Sequence, residues 1–149
     1  MITIKPHHFV DIIKLYGAGI EVFVPDEKMG HDFYKIANMI IAEPSVELKL
    51  TIGADDICQP CHYCINGVCD DGLSSIKGIS KKDSYNKKLD QRIIDLLKLN
   101  IKHDYSACEL CRLMSKDSDF IFDVWKEEND ELTQKRYELF LKGTKQYLK

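Results

Sequence analysis

The sequence predicts an α+β fold: a small sheet formed by Ile2–Ile4 and Val46–Ile52, packed by helices, with a helical C-terminal half and a cysteine-rich metal loop. Three observations carry the prediction. Val46-Glu47-Leu48-Lys49-Leu50-Thr51-Ile52 alternates apolar and polar residues without a break, which is the period of a half-buried strand. Apolar residues recur three and four apart between Phe9 and Ala42 and again beyond Asp83, the period of helices that bury one face. Cys58, Cys61, Cys64 and Cys69 then crowd into the stretch that directly follows the alternating strand.

The elements follow in order. Ile2-Thr3-Ile4 is a short strand stopped by Pro6. Phe9, Ile12, Ile13 and Tyr16 place a first helix over 7–16, with Gly17 where a C-terminal cap belongs. His7 and His8 lie in its first turn, where the positive end of the dipole favours a neutral imidazole. Pro25, Asp26 and Glu27 suit the opening turn of a second helix, whose face is Phe33, Ile36, Ala37, Ile40 and Ile41 and which Pro44 ends. The order strand, helix, helix, strand pairs Ile2–Ile4 with Val46–Ile52. If those strands run parallel, both chains leave the same sheet end, and His7 and His8 approach the start of the cysteine loop. Further on, Tyr85, Leu89, Ile93 and Ile94 mark a helix to about Leu97, and Ser106-Ala107-Cys108-Glu109 is a capping box that starts another. Phe120, Ile121, Val124 and Trp125 continue the helical pattern, with Phe120, Phe122 and Trp125 read as core, and further helix extends through Leu132, Tyr137 and Phe140.

With 149 residues, 44% hydrophobic and 30% charged, the chain is expected to form a single domain over 1–149 with its own core. Twenty-four acids against 21 bases give a net charge of −3, which recommends no nucleic-acid partner. No apolar run reaches the length of a membrane span, and the N-terminus lacks the pattern of a secretory leader, so the expectation is a cytoplasmic protein with reduced thiols.

The chemistry is in the cysteines. Cys58-x2-Cys61-x2-Cys64-x4-Cys69 offers three sulfurs in one short turn system and a fourth shortly after. Thiolates suit iron–sulfur clusters and zinc alike. The tripled x2 spacing is closer to the iron–sulfur pattern, so the leading expectation is an iron–sulfur cluster, most simply 4Fe-4S, on Cys58, Cys61 and Cys64 with Cys69 or Cys111 completing the set. Such a protein would serve electron transfer with a redox partner, or chemistry on a small molecule at an open iron. The alternative is a zinc-stapled interaction module in which Cys58 and Cys61 join Cys108 and Cys111. A third reading is a thiol-dependent enzyme using Cys64 or Cys111, the latter near a helix N-terminus that favours thiolates. His62, inside the loop, is more simply exposed than a ligand. His7 and His8 are candidate catalytic or ligand-orienting groups; adjacent helical residues diverge by about 100°, so one of the two is expected to reach the site. Asp55 and Asp56 are read first as caps for loop amides.

Lys5-x-His7-His8, Gly17 at the end of the first helix, and Asp55-Asp56-Ile57-Cys58-x2-Cys61 with Gly67-x-Cys69 together resemble a family of small bacterial and archaeal proteins of about this size that are thought to bind iron–sulfur clusters. The resemblance covers roughly the first half of the chain. It implies that Cys58, Cys61 and Cys69 are shared family cysteines and that His7 and His8 belong to the family signature. Members usually carry a further cysteine where this chain has Asp11. Cys64, Cys108 or Cys111 can take that place, and the Asp11 carboxylate is itself a possible ligand. The resemblance implies a metal class and no particular reaction.

Overall fold

The alternating segment becomes a strand, and its partners show how the chain is folded. A computed structural model describes residues 1–24, 32–53, 55–57, 64–65, 68–69 and 82–149. Strand β1 (Ile2–Ile4) pairs in parallel with β2 (Glu47–Leu50), Ile2 opposite Leu48 and Ile4 opposite Leu50. Pairing of the two segments is as the sequence predicts, and its sense is parallel. The strand is shorter than its pattern: the chain turns away after Leu50, although the Thr51 amide still donates to the Ile4 carbonyl.

Helices α1 (Pro6–Gly17) and α2 (Phe33–Ala42) form the crossover between these strands. A short hairpin, β3 (Cys64–Ile65) and β4 (Val68–Cys69), lies within the cysteine loop. Helix α3 (Lys82–Leu97) follows, then a strand absent from the sequence reading, β5 (Asp104–Ser106). It runs antiparallel to β2 and completes a three-stranded mixed sheet in the order β1-β2-β5. Three residues with one buried side chain, Tyr105, are too few to show a period. Helices α4 (Ala107–Lys116), α5 (Phe120–Val124) and α6 (Asp130–Tyr147) finish the chain.

One hydrophobic cluster joins these parts, with Phe9, Ile12 and Ile13 of α1, Leu48 and Leu50 of β2, Ile93 of α3, Leu110 and Met114 of α4, and Phe140 of α6 all buried. The most extensive helix contact is between α1 and α6. Its closeness rests on two glycines, one of which, Gly17, the sequence suggested as a helix cap. Gly17 is the last residue of α1 and Gly143 lies inside α6. A Cβ on Gly17 would fall on the Leu139 carbonyl oxygen, and one on Gly143 would fall on the Ile13 carbonyl oxygen. Both positions are small because two backbones meet there, not because a turn needs them. The left-handed residue after α1 is Gly19, at φ 101°. Phe122, expected in the core, is instead exposed and lies tilted against Tyr137, because the one-turn helix α5 sends only Phe120, Ile121 and Val124 inward.

The parallel pair gives the sheet two distinct edges. The C-terminal ends of β1 and β2 share one edge with the start of α1. The N-terminal end of β2 lies at the other edge, where Ala107 and Cys108 donate their amides to the carbonyls of Val46 and Pro44. Functional groups fall at both edges, and they are different groups.

Candidate functional site

β1 is an edge strand, and its outward Thr3 and Lys5 amides need partners. The chain supplies them by folding residues 55–57 back along it. Thr3 donates to the Asp56 carboxylate at 2.9 Å, and the Asp56 amide returns a bond to the Thr3 carbonyl at 3.0 Å. Lys5 donates its amide to Asp55 Oδ2 at 2.8 Å. Asp55 Oδ1 accepts from the Ile57 amide at 3.2 Å, so the expected capping of a nearby loop amide is present. The last residues before Cys58 are therefore bonded to the N-terminal strand.

The same Asp55 Oδ2 meets His8 Nδ1 at 2.7 Å. This is the approach of the histidine pair to the cysteine loop that parallel strands imply. His7 takes a different partner. Its Nδ1 and its backbone amide both meet Asp90 Oδ1 of α3 at 2.8 Å, across 83 residues of sequence. The roughly 100° divergence of adjacent helical residues thus sends the two rings to two carboxylates, with centroids still only 4.3 Å apart. Pro6 opens α1 and has no amide to satisfy, so the first free amide of the helix, that of His7, is the one that Asp90 receives. Negative charge at this terminus also complements the helix dipole.

Burial makes the cluster electrostatically strong. Asp55 and Asp90 are 1% and 0% exposed, and Lys5 beside them is 2% exposed. Asp90 Oδ2 is buried without a hydrogen-bond partner among the described residues. Burial alone would push the His7 ring toward neutrality, but the charge and hydrogen bond of Asp90 outweigh it and raise the pKa above the ordinary value. At His8 burial again disfavours charge, the neighbouring His7 adds to it, and Asp55 does not overcome the two, so the pKa is lowered. The neutral form expected of both rings is thereby disfavoured at His7 and favoured at His8. The helix dipole is a fraction of a charge, whereas Asp90 is a full carboxylate in direct contact. In each ring the carboxylate holds Nδ1 and leaves Nε2 as the other functional nitrogen, the arrangement by which carboxylates orient histidines in metal and proton-transfer sites.

The other candidates are distributed as follows. Cys58, Cys61 and His62 lie outside the described residues. Cys64 and Cys69 stand opposite one another in the β3–β4 register. Asp11, one turn along α1, is half-buried and 3.9 Å from Lys14. Cys108 and Cys111 are free thiols at the start of α4, at the sheet edge away from His8, with Cys111 fully buried and Cys108 partly so. Burial, helped by Cys108, pushes the Cys111 thiol up to about 12, so the stabilised thiolate expected from the helix terminus is not found there. Among the described residues no group of three or more His, Cys, Asp or Glu side chains is placed to hold a metal ion. No helix among them is long and apolar enough to cross a membrane.

Sequence reasoning missed Asp90 as the partner of His7 and read Asp55 as a loop cap without its bond to His8. A signal for Asp90 exists: Asn86 and Asp90 lie four apart beside Tyr85, Leu89 and Ile93, so the buried face of α3 includes two polar positions. Polar groups on a buried stripe need partners.

Fold and site define a small α+β protein in which a carboxylate-locked histidine pair stands at the lead-in to a cysteine-rich hairpin. The chain belongs to the DUF1284 family, described as proteins of unknown function, whose pattern matches residues 26–124. The matched segment contains the cysteine loop, Asp55, Asp90, Cys108 and Cys111, and begins after Lys5–His8. No curated protein and no solved structure matches the chain.

Proposed function

We propose that the chain binds an iron–sulfur cluster through Cys58, Cys61, Cys64 and Cys69 and exchanges electrons with a redox partner protein, or acts on a small molecule beside the cluster. The observation that carries this reading is the register of the hairpin, which sets Cys64 directly across from Cys69. Opposed residues of an antiparallel pair lie about 4.5–5.5 Å apart at Cα, so two of the four cysteines that the spacing singles out are neighbours in space as well. Cys69, not Cys111, is then the natural fourth member of the set.

The site's fit to such a group is supported by its surroundings. Asp55 binds the lead-in of the loop to Lys5 and His8, which fixes one end of the loop against the sheet. A cluster bound there would supply one-electron chemistry. Burial favours the neutral ring of His8, a group that would take a proton at Nε2, and Asp90 favours the protonated ring of His7, a group that would give one. The zinc staple draws no support from the placement of Cys108 and Cys111, because they sit where Pro44 and Val46 lead into β2, while Ile57 adjoins the opposite edge.

The test is anaerobic purification with iron, sulfide and zinc analysis and a visible spectrum. A broad band near about 400 nm with iron and sulfide, lost in Cys58→Ser, Cys61→Ser, Cys64→Ser and Cys69→Ser and kept in Cys108→Ser, supports the reading. Stoichiometric zinc without sulfide, or no metal at all, overturns it.

A further inference from the structure

We infer that Cys108 and Cys111 form a redox-active dithiol at the start of α4 that exchanges with low-molecular-weight disulfides of the glutathione kind. The inference does not rest on the cluster reading, which leaves these two thiols unused. Ser106 caps α4 through the Glu109 amide at 3.2 Å, making Cys108 the second and Cys111 the fifth residue of the helix. Residues three apart share a helix face, and both thiols are free. Their environments differ in the way that a two-step exchange requires.

Cys108 is partly exposed and its sulfur lies 3.5 Å from the Ser106 hydroxyl, a group able to donate to a thiolate. It is in the first turn of α4, whose Ala107, Cys108 and Glu109 amides bond to Val46, Pro44 and Ser106 and so hold the turn in place. Cys111 is 0% exposed and remains a thiol until its neighbour is modified. An inert pair of packing cysteines would have both sulfurs buried, since free cysteine behaves as a small hydrophobe. Here Cys108 is only partly buried at the edge of the core, and Cys111 is wholly buried one turn on.

The reaction balances without any other oxidant. The Cys108 thiolate attacks one sulfur of the small disulfide, forming a mixed disulfide and releasing one small thiolate, which takes up a proton. Cys111 then gives up its proton and attacks the Cys108 sulfur, expelling the second small thiol and closing Cys108–Cys111. The protein dithiol is oxidised by two electrons and the small disulfide is reduced to two thiols. Helical residues three apart hold their Cβ atoms about 5–6 Å apart, against about 3.8 Å in a bridge, so closure must tighten the first turn. That turn is tied outside the helix, by Ala107 to Val46 and by Cys108 to Pro44. The oxidised form is therefore strained and readily reduced, as reversible bridges are.

The test uses the full chain, prepared anaerobically, equilibrated with glutathione buffers of graded oxidised-to-reduced ratio, then alkylated and mapped by mass spectrometry. We expect a Cys108–Cys111 bridge that forms and disappears reversibly with the ratio. Cys111→Ser should stall as a near-stoichiometric glutathione adduct on Cys108, and Cys108→Ser should leave Cys111 unmodified. The inference is overturned if no Cys108–Cys111 bridge forms at any ratio, or if the first adduct maps to Cys111. It is also overturned if the Cys108→Ser, Cys111→Ser double variant loses iron that the parent chain binds, since the thiols would then be ligands. A parent chain without iron would defeat the cluster proposal and leave the mapping as the test of the dithiol.

Discussion

Asp55→Ala strikes the junction of strand, histidine and cysteine loop at a single carboxylate. That group accepts from Lys5 N at 2.8 Å, His8 Nδ1 at 2.7 Å and Ile57 N at 3.2 Å while almost wholly buried. A hydrogen bond to an ionised group contributes about 1.5–3 kcal/mol, and a donor left unpaired in the interior costs about 1–3 kcal/mol. The longest of the three bonds is worth least and a shared acceptor is not additive, so the expected loss is about 4 kcal/mol, within the range for breaking a buried pair. With a urea slope of roughly 2 kcal/mol/M, the unfolding midpoint should fall by about 2 M. Asp55→Asn keeps one carbonyl oxygen for the Lys5 and His8 donors and should lose only about 1–2 kcal/mol. Urea titrations followed by circular dichroism, run on protein as purified and after chelator, should show the same difference in both, because these bonds belong to the polypeptide. A loss below about 1 kcal/mol for Asp55→Ala, or equal losses for the two variants, would refute the shared-acceptor account.

Asp90→Asn removes the carboxylate that overrides burial at His7, and nuclear magnetic resonance titration of the ring should show its pKa drop from above 6.5 to below it. The stability profile changes with it. A raised folded pKa makes His7 fully stabilising below about pH 6.5 and progressively less so as pH rises through the raised value. The variant should lose that falling limb and keep the opposite one from His8, where stability declines as pH drops below 6.5 because the buried ring resists charge. An unchanged profile would count against the His7–Asp90 pairing. Gly143→Ala places a methyl group on the Ile13 carbonyl and should force α1 and α6 apart at a cost of about 3 kcal/mol in thermal or urea unfolding, whereas Gly19→Ala meets no atom and is penalised only by its φ. Tyr147→Phe removes a 2.6 Å bond from the phenol to the Ile40 carbonyl and should cost about 1–2 kcal/mol; a neutral result would mean that water reaches that carbonyl.

Much of this protein is legible in its residues because much of it is local. The alternation at Val46–Ile52 yields β2, and the capping box at Ser106–Glu109 yields the observed hydrogen bond at the start of α4. Apolar spacing finds α1, the second half of the crossover and α3 within a residue or two, except that α2 starts at Phe33, residues 25–31 lying outside the described chain. The topological argument that brings His8 to the loop succeeds because parallel strands leave only one edge for both chain ends. The failures share another cause. β5 is too short for a period to show, and Gly17 and Gly143 are glycines for each other's sake, which only the contact of two helices reveals.

The elements and the crowding of thiols are local, since helix and strand periods, caps and cysteine spacings are properties of neighbouring residues. Tertiary structure alone decided the direction in which each histidine's pKa moves and the burial of each thiol. His7 and His8 differ by one position, yet one faces Asp90 from 83 residues away and the other faces Asp55. Cys108 and Cys111 differ by one helical turn, yet only the second is sealed in the core. Protonation and reactivity depend on solvent and on charges within a few ångströms, and those distances come into being only when remote segments pack.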